Sequence, residues 1–140
     1  ESRAHPQAMI CGYPLFDESV PKGRLYARYL THVMVWINTL SLQIRDSMCG
    51  FRVYPLAPTL AVIDSAKVGK RMDFDSDILV RLAWRNQPMR WLQTSVHYPL
   101  DGFSHFRLFH DNALISSMHT RLFFGMLLRF PLILWRRWRA

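Results

Sequence analysis

A chain of 140 residues with a formal charge of +8, half of it apolar and 14% aromatic, carries enough hydrophobic material for one packed domain. That composition argues against a disordered chain, and two cysteines outside any CxxC spacing, Cys11 and Cys49, argue against a disulfide scaffold or a cysteine zinc site. The basic excess gathers in the last forty residues, where Arg107, Arg121, Arg129, Arg136, Arg137 and Arg139 face only Asp101 and Asp111, and this points to anionic lipid, nucleic acid or a phosphorylated substrate.

Residues 8–13 form a short apolar run closed by Pro14 and read as a buried strand. Residues 14–23, with two prolines, a glycine and mixed charge, read as an exposed loop. From Arg24 to about Gln43 the residues Tyr26, Leu30, Val33, Ile37 and Leu40 recur every three or four, which predicts an amphipathic helix ~30 Å long. Residues 51–54 alternate and stop at Pro55, as a strand does, and residues 56–66 suit a short helix. Asp73 offers an N-cap to a helix carrying Phe74, Ile78, Leu79, Leu82 and Ala83, closed by Asn86 and Pro88. Residues 89–98 predict one more strand, residues 99–110 a polar loop, and a long final helix follows from about Asp111. Strands alternating with helices predict an α/β layered sheet. Three strands make a narrow sheet for that class. Together with a first residue that is Glu1 and not Met, this leads to the expectation of an incomplete domain.

Two segments carry the chemistry. Asp46-Ser47-Met48-Cys49-Gly50-Phe51-Arg52 places an acid, a permissive glycine and a fixed cation at the entry to a strand. Gly50 allows close approach of the backbone to a substrate, and the planar fork of Arg52 suits a phosphate. On its own the segment equally suits a tight turn held by Asp46 with Arg52 or Arg45. The second segment sets Asp73, Asp75 and Asp77 on alternate positions at a helix start. Acids there stabilise the helix by about 0.3–1 kcal/mol each with no function implied. Asp73 and Asp77, four apart, share a helix face, and Asp75 points elsewhere.

In this order the two segments resemble the D-x-x-(S/C)-G-F-R element and the acidic E-D-x-D-L helix start of family-2 glycosyltransferases related to polyprenyl-phosphate sugar synthases. The likeness extends to residues 6–12 and to residues 118–125, which resemble the final helix of bacterial members of envelope-lipid clusters. It implies a partial GT-A fold: a mixed sheet with flanking helices and a C-terminal amphipathic helix. Residues 1–110 would be the acceptor-side half of the catalytic domain, and residues 111–140 a basic helix at a membrane surface. By the resemblance, Asp75 is the general base and Asp77 the second catalytic carboxylate, although Phe74 stands where the family has glutamate. Asp46, Gly50, Arg52 and Arg107 would bind substrate, and His105 would ligate metal. A nucleotide-sugar donor, a lipid or lipid-linked acceptor, and Mg²⁺ or Mn²⁺ follow as partners, on the cytoplasmic face of the inner membrane. The family's donor-binding strands and D-x-D motif have no counterpart before Asp73. The rival expectation is a non-catalytic basic module that docks on anionic membranes or acidic partners through residues 107–140. No recognisable nucleic-acid module accompanies the charge.

Overall fold

The computed structural model describes residues 1–16, 22–96 and 108–140. The predicted loop at residues 99–110, with His105 and Arg107, therefore falls largely outside the described residues. The elements run β1 (Met9–Phe16), α1 (Lys22–Thr39), β2 (Arg52–Val53), α2 (Leu56–Ser65), α3 (Phe74–Trp84), β3 (Met89–Val96) and α4 (Leu108–Trp138). Among the described residues this is a mixed α/β arrangement with one three-stranded sheet, ordered β2-β1-β3.

β1 is the central strand. It pairs antiparallel with β2 through Ile10↔Val53 and Cys11↔Arg52, and parallel with β3 from Met9↔Met89 to Phe16↔Val96. Met9, Ile10 and Cys11 are all buried, as expected of a strand covered on both faces. Gly12 lets β2 come close: a Cβ there would lie 3.1 Å from the Phe51 ring and 3.2 Å from the Phe51 carbonyl, to which Gly12 N–H donates. The strand continues through Pro14, where the sequence predicted a stop. β2 is only two residues long, so Pro14 pairs with β3 alone and its missing N–H leaves no ladder position unfilled on the other side.

α1 ends at Thr39, before the apolar repeat does. Leu40 turns left-handed (φ 54°) and Ser41 N–H reaches back to the Trp36 carbonyl, the hydrogen-bond pattern of a helix stop. α3 stops the same way, with Asn86 at φ 58° and Gln87 N–H on the Leu82 carbonyl, as its asparagine predicted. The N-terminal expectation for α3 fails. Asp73 makes no side-chain cap; its backbone is already αR, and its carboxylate turns back to accept from Arg71 N–H at 3.2 Å.

α3 is the hub of the core. Ile78, Leu79, Val80 and Leu82 are fully buried, each stabilising the fold by about 1.5–3 kcal/mol relative to exposure. α4 adds Met118, Leu122, Met126 and Ile133 to the same core cluster. Two arginines of the basic end of α4 reach backbone carbonyls. Arg136 Nη1 donates to the Trp84 carbonyl at 2.9 Å, and Arg137 donates to the Leu40 and Thr39 carbonyls. Two arginines thus cap the C-termini of α3 and α1, where carbonyls lack helical partners and the dipole is negative. No helix among the described residues is long and apolar enough to cross a membrane.

Candidate functional site

The turn before β2 is organised by Asp46, which is 2% exposed. Its Oδ1 accepts from the N–H groups of Met48 (2.8 Å) and Cys49 (2.7 Å), a side chain standing in for a backbone turn. Its Oδ2 meets Arg28 Nη1, and His32 Nε2 at 3.5 Å, both from α1. Burial pushes the Asp46 carboxyl up, but the His32 contact, the Arg28 charge and the two backbone donors outweigh it and hold the group below the ordinary carboxylate range. The anticipated partners Arg45 and Arg52 are not the ones used. Arg28 and His32 lie one turn apart on a helix whose apolar stripe dominates its sequence pattern; that i,i+4 basic pair is the signal that would have marked them.

Arg52 leaves β2 with its side chain fully enclosed. Nη2 donates to the Ser47 carbonyl at 2.7 Å and Nη1 to the Asp75 carbonyl at 2.5 Å. Ser76 Oγ donates to the same Ser47 carbonyl at 3.2 Å. One buried guanidinium therefore ties the 46–52 turn to the first turn of α3, and the two segments read from the sequence meet in space. Arg52 presents no surface to a phosphate, in contrast to the clamp expected of it, because the backbone carbonyls at both ends of that tie use its fork. Ser47 and Ser76, which complete the tie, carry no sequence signal beyond lying in the two segments.

Three aspartates take three places. Asp77 is wholly buried; Oδ2 accepts from Gly69 N–H at 2.9 Å and Oδ1 from Arg81 Nε at 2.6 Å. Asp73 is 4% exposed and packs against Gly69, where an added Cβ would collide with its carboxylate and force it to move. Arg121 of α4 stands 3.8 Å from both carboxylates, the shared face that the spacing of Asp73 and Asp77 predicts. Asp75 alone faces outward, its side chain 43% exposed with Oδ1 3.9 Å from Arg52 Nη1. Gly50 is exposed beside it: a Cβ on Gly50 would come 4.0 Å from Asp75 Oδ2. The arrangement leaves one accessible carboxylate, held by its own backbone, next to a side-chain-free stretch of chain. Asp77, expected beside it in catalysis, has its oxygens committed to internal donors.

Cys11, paired with Arg52 across the sheet, is buried, and burial pushes its thiol up to about 11; Arg52 opposes this and Cys49 adds to it. At neutral pH it is a packed thiol and not a nucleophile. Among the described residues no group of three or more His, Cys, Asp or Glu side chains is placed to hold a metal ion. His105, which the glycosyltransferase resemblance offers as a ligand for a divalent metal, lies outside the described residues. Compared with known protein families, with curated proteins and with solved structures, the chain gives no match.

Proposed function

We propose that this chain is the acceptor side of an inverting glycosyltransferase of GT-A type, with Asp75 at the reacting hydroxyl. The observation that carries the reading is the junction made by Arg52, which brings Gly50 and the outward carboxylate of Asp75 side by side from segments 23 residues apart. Transfer to a hydroxyl requires a base: the acceptor proton passes to the Asp75 carboxylate as the acceptor oxygen bonds to the anomeric carbon and the bond to the nucleoside diphosphate breaks. Arg52 is a positioning residue, acting through the Asp75 backbone. On an ionised lipid phosphate no proton is transferred, and Asp75 then only orients. The nucleotide sugar and its Mg²⁺ or Mn²⁺ belong to a donor-binding half on this reading, and the acceptor is a lipid or lipid-linked sugar at the cytoplasmic face of the inner membrane. The test supplies the chain with a donor-binding half and assays transfer onto hydroxyl and phosphate acceptors. Asp75→Asn is expected to slow transfer to hydroxyl acceptors and to spare phosphate acceptors; equal rates for wild type and variant on both sink the assignment of Asp75 as base.

A second reading, a module that docks on anionic surfaces, is favoured by one observation. The outward face of the second half of α4 is apolar, with Phe124, Leu128, Trp135 and Trp138 between 51% and 92% exposed. Aromatic and apolar residues on a basic helix suit the headgroup region of a bilayer. Because Arg136 and Arg137 hold α4 to α1 and α3, removing the tail would disturb the fold. Leu128→Ser with Trp138→Ser is the cleaner variant, and flotation with anionic vesicles unchanged by it rules this reading out.

A further inference from the structure

At the far end of α3 from Asp75, a pocket of about 210 Å³ opens between α2, α3 and α4. Four arginines wall it: Arg81 and Arg85 from the end of α3, Arg129 and Arg136 from α4. We infer that this pocket is a binding site for a phosphate-bearing anion.

The charge balance carries the inference. Among the described residues only Arg81 of the four has a carboxylate partner, and that partner, Asp77, is shared with Arg121. The other three meet neutral acceptors, each with a single terminal nitrogen. Arg85 Nη2 donates to Ser65 Oγ at 2.7 Å and to the Ala61 carbonyl at 3.5 Å. Arg129 Nη1 donates to the Gly125 carbonyl at 3.2 Å, and Arg136 Nη1 to the Trp84 carbonyl at 2.9 Å. The remaining N–H groups of three guanidiniums are left for a ligand. Like charges around one cavity repel, and a bound anion relieves that repulsion.

The pocket is also built. Trp84, 4% exposed, forms a wall against which Arg81 and Arg129 stack, 5.8 and 5.2 Å from the ring centroid. Gly125 makes room for both: a Cβ there would lie 3.0 Å from Trp84 Cη2 and 3.3 Å from Arg129 Nη1. Planar forks fixed on an aromatic face match the oxygens of a phosphate in pairs, which flexible lysines do not. The volume lies below the ~300–1,000 Å³ usual for larger organic ligands, so the pocket takes the phosphate group and its immediate ester and not a whole nucleotide. Two sources share this chemistry, a soluble phosphate and the headgroup of an anionic lipid. Leu132, which also lines the pocket and is 40% exposed, borders it with apolar surface. The inference stands apart from sugar transfer, and its failure would leave the assignment of Asp75 untouched.

The test uses the 140-residue chain with two probes. Thermal unfolding is followed in inorganic phosphate against chloride at matched ionic strength, and flotation is measured with phosphatidylcholine vesicles with and without phosphatidylglycerol. Arg85→Gln combined with Arg129→Gln is expected to weaken binding of the effective probe roughly tenfold, the loss of two charge-assisted contacts. Arg139→Gln, whose guanidinium stacks on Trp135 outside the pocket, is expected to leave it unchanged. An effect in phosphate identifies a soluble ligand; an effect only with phosphatidylglycerol identifies a headgroup. Arg85→Gln alone, at an exposed side chain, keeps the test available should the double variant not fold, with a smaller loss expected. No binding of either probe, or binding by the variants equal to wild type, overturns the inference.

Discussion

α3 carries opposite charge at its two ends, and the ends differ in how that charge is matched. At the N-terminal end Asp73 and Asp77 are buried and are met by Arg71 N–H, Gly69 N–H, Arg81 and Arg121, so their oxygens serve the fold. Only Asp75 is left toward solvent. At the C-terminal end Arg85, Arg129 and Arg136 outnumber any nearby carboxylate among the described residues and spend only part of their donors on carbonyls and a hydroxyl. On the inference drawn above, matched charge serves the structure, and surplus charge is where an anion would be recognised. A buried charge without its partner is costly, so saturation at one end is what the fold requires. At the other end Arg136 caps α3 with one nitrogen, and the donors that it, Arg85 and Arg129 do not spend on the fold are where an external anion gains most.

The comparison breaks first at Asp77. Replacing it with alanine leaves the buried Gly69 N–H without its acceptor and Arg81 without its carboxylate, while Arg121 keeps Asp73, and a loss of ~3–5 kcal/mol in urea unfolding is expected. A loss below about 1 kcal/mol would mean that the N-terminal end is not saturated in the sense argued. Arg52→Met comes next: it strips two carbonyls of a charged donor at the junction of the two segments, an expected ~1.5–3 kcal/mol in the same assay.

Acid sharpens the contrast in two stages. His119 is buried between α1 and α4 near Asn38, and burial lowers its pKa below 6.5 while Asp77 pulls the other way. The folded chain thus resists a proton that the unfolded chain accepts. The stability linked to His119 is whole above pH 6.5 and is lost as pH falls through that value toward the folded pKa. Asp46 is also lowered, from 3.8, so its contribution is whole above that pH and is lost as pH falls through its folded pKa. Urea midpoints recorded against pH should show both steps, and His119→Gln should remove the upper one alone. The smallest effect is expected at Arg85, which is exposed and meets only neutral acceptors: Arg85→Gln should shift unfolding by less than ~0.5 kcal/mol. Asp75→Asn should shift it by up to ~1 kcal/mol, because Asp75 is half-exposed yet is the carboxylate 3.9 Å from the buried Arg52 guanidinium. A large loss at either would place it among the matched charges.

How much of this was legible in the sequence follows from which interactions are local. The alternation of strands and helices, the asparagine stop after α3 and the opposite facing of Asp75 from Asp73 and Asp77 all follow from chain-local periodicity and were readable. Pro14 inside β1 was not, because whether a proline ends a strand depends on the length of the neighbouring strand. The cap assigned to Asp73 failed for a similar reason, since Arg71 N–H and Arg121 offered its carboxylate better company than the helix start did. Arg28 on Asp46, Arg136 on Trp84 and Arg137 on Leu40 link residues 18, 52 and 97 positions apart, and no spacing rule reaches that far. The basic tail was legible as charge; that much of it serves two helix C-termini became visible only once α1, α3 and α4 were packed.

The most direct measurement takes Asp75→Asn in the chain supplied with a donor-binding half, with unfolding and sugar transfer recorded on the same preparation. A cooperative unfolding transition with a midpoint lowered only slightly, together with a fall of ~10²–10⁴ in kcat on a hydroxyl acceptor, is the predicted result. Wild-type turnover on that acceptor with the fold intact would contradict the claim that the one outward carboxylate of α3 carries the chemistry.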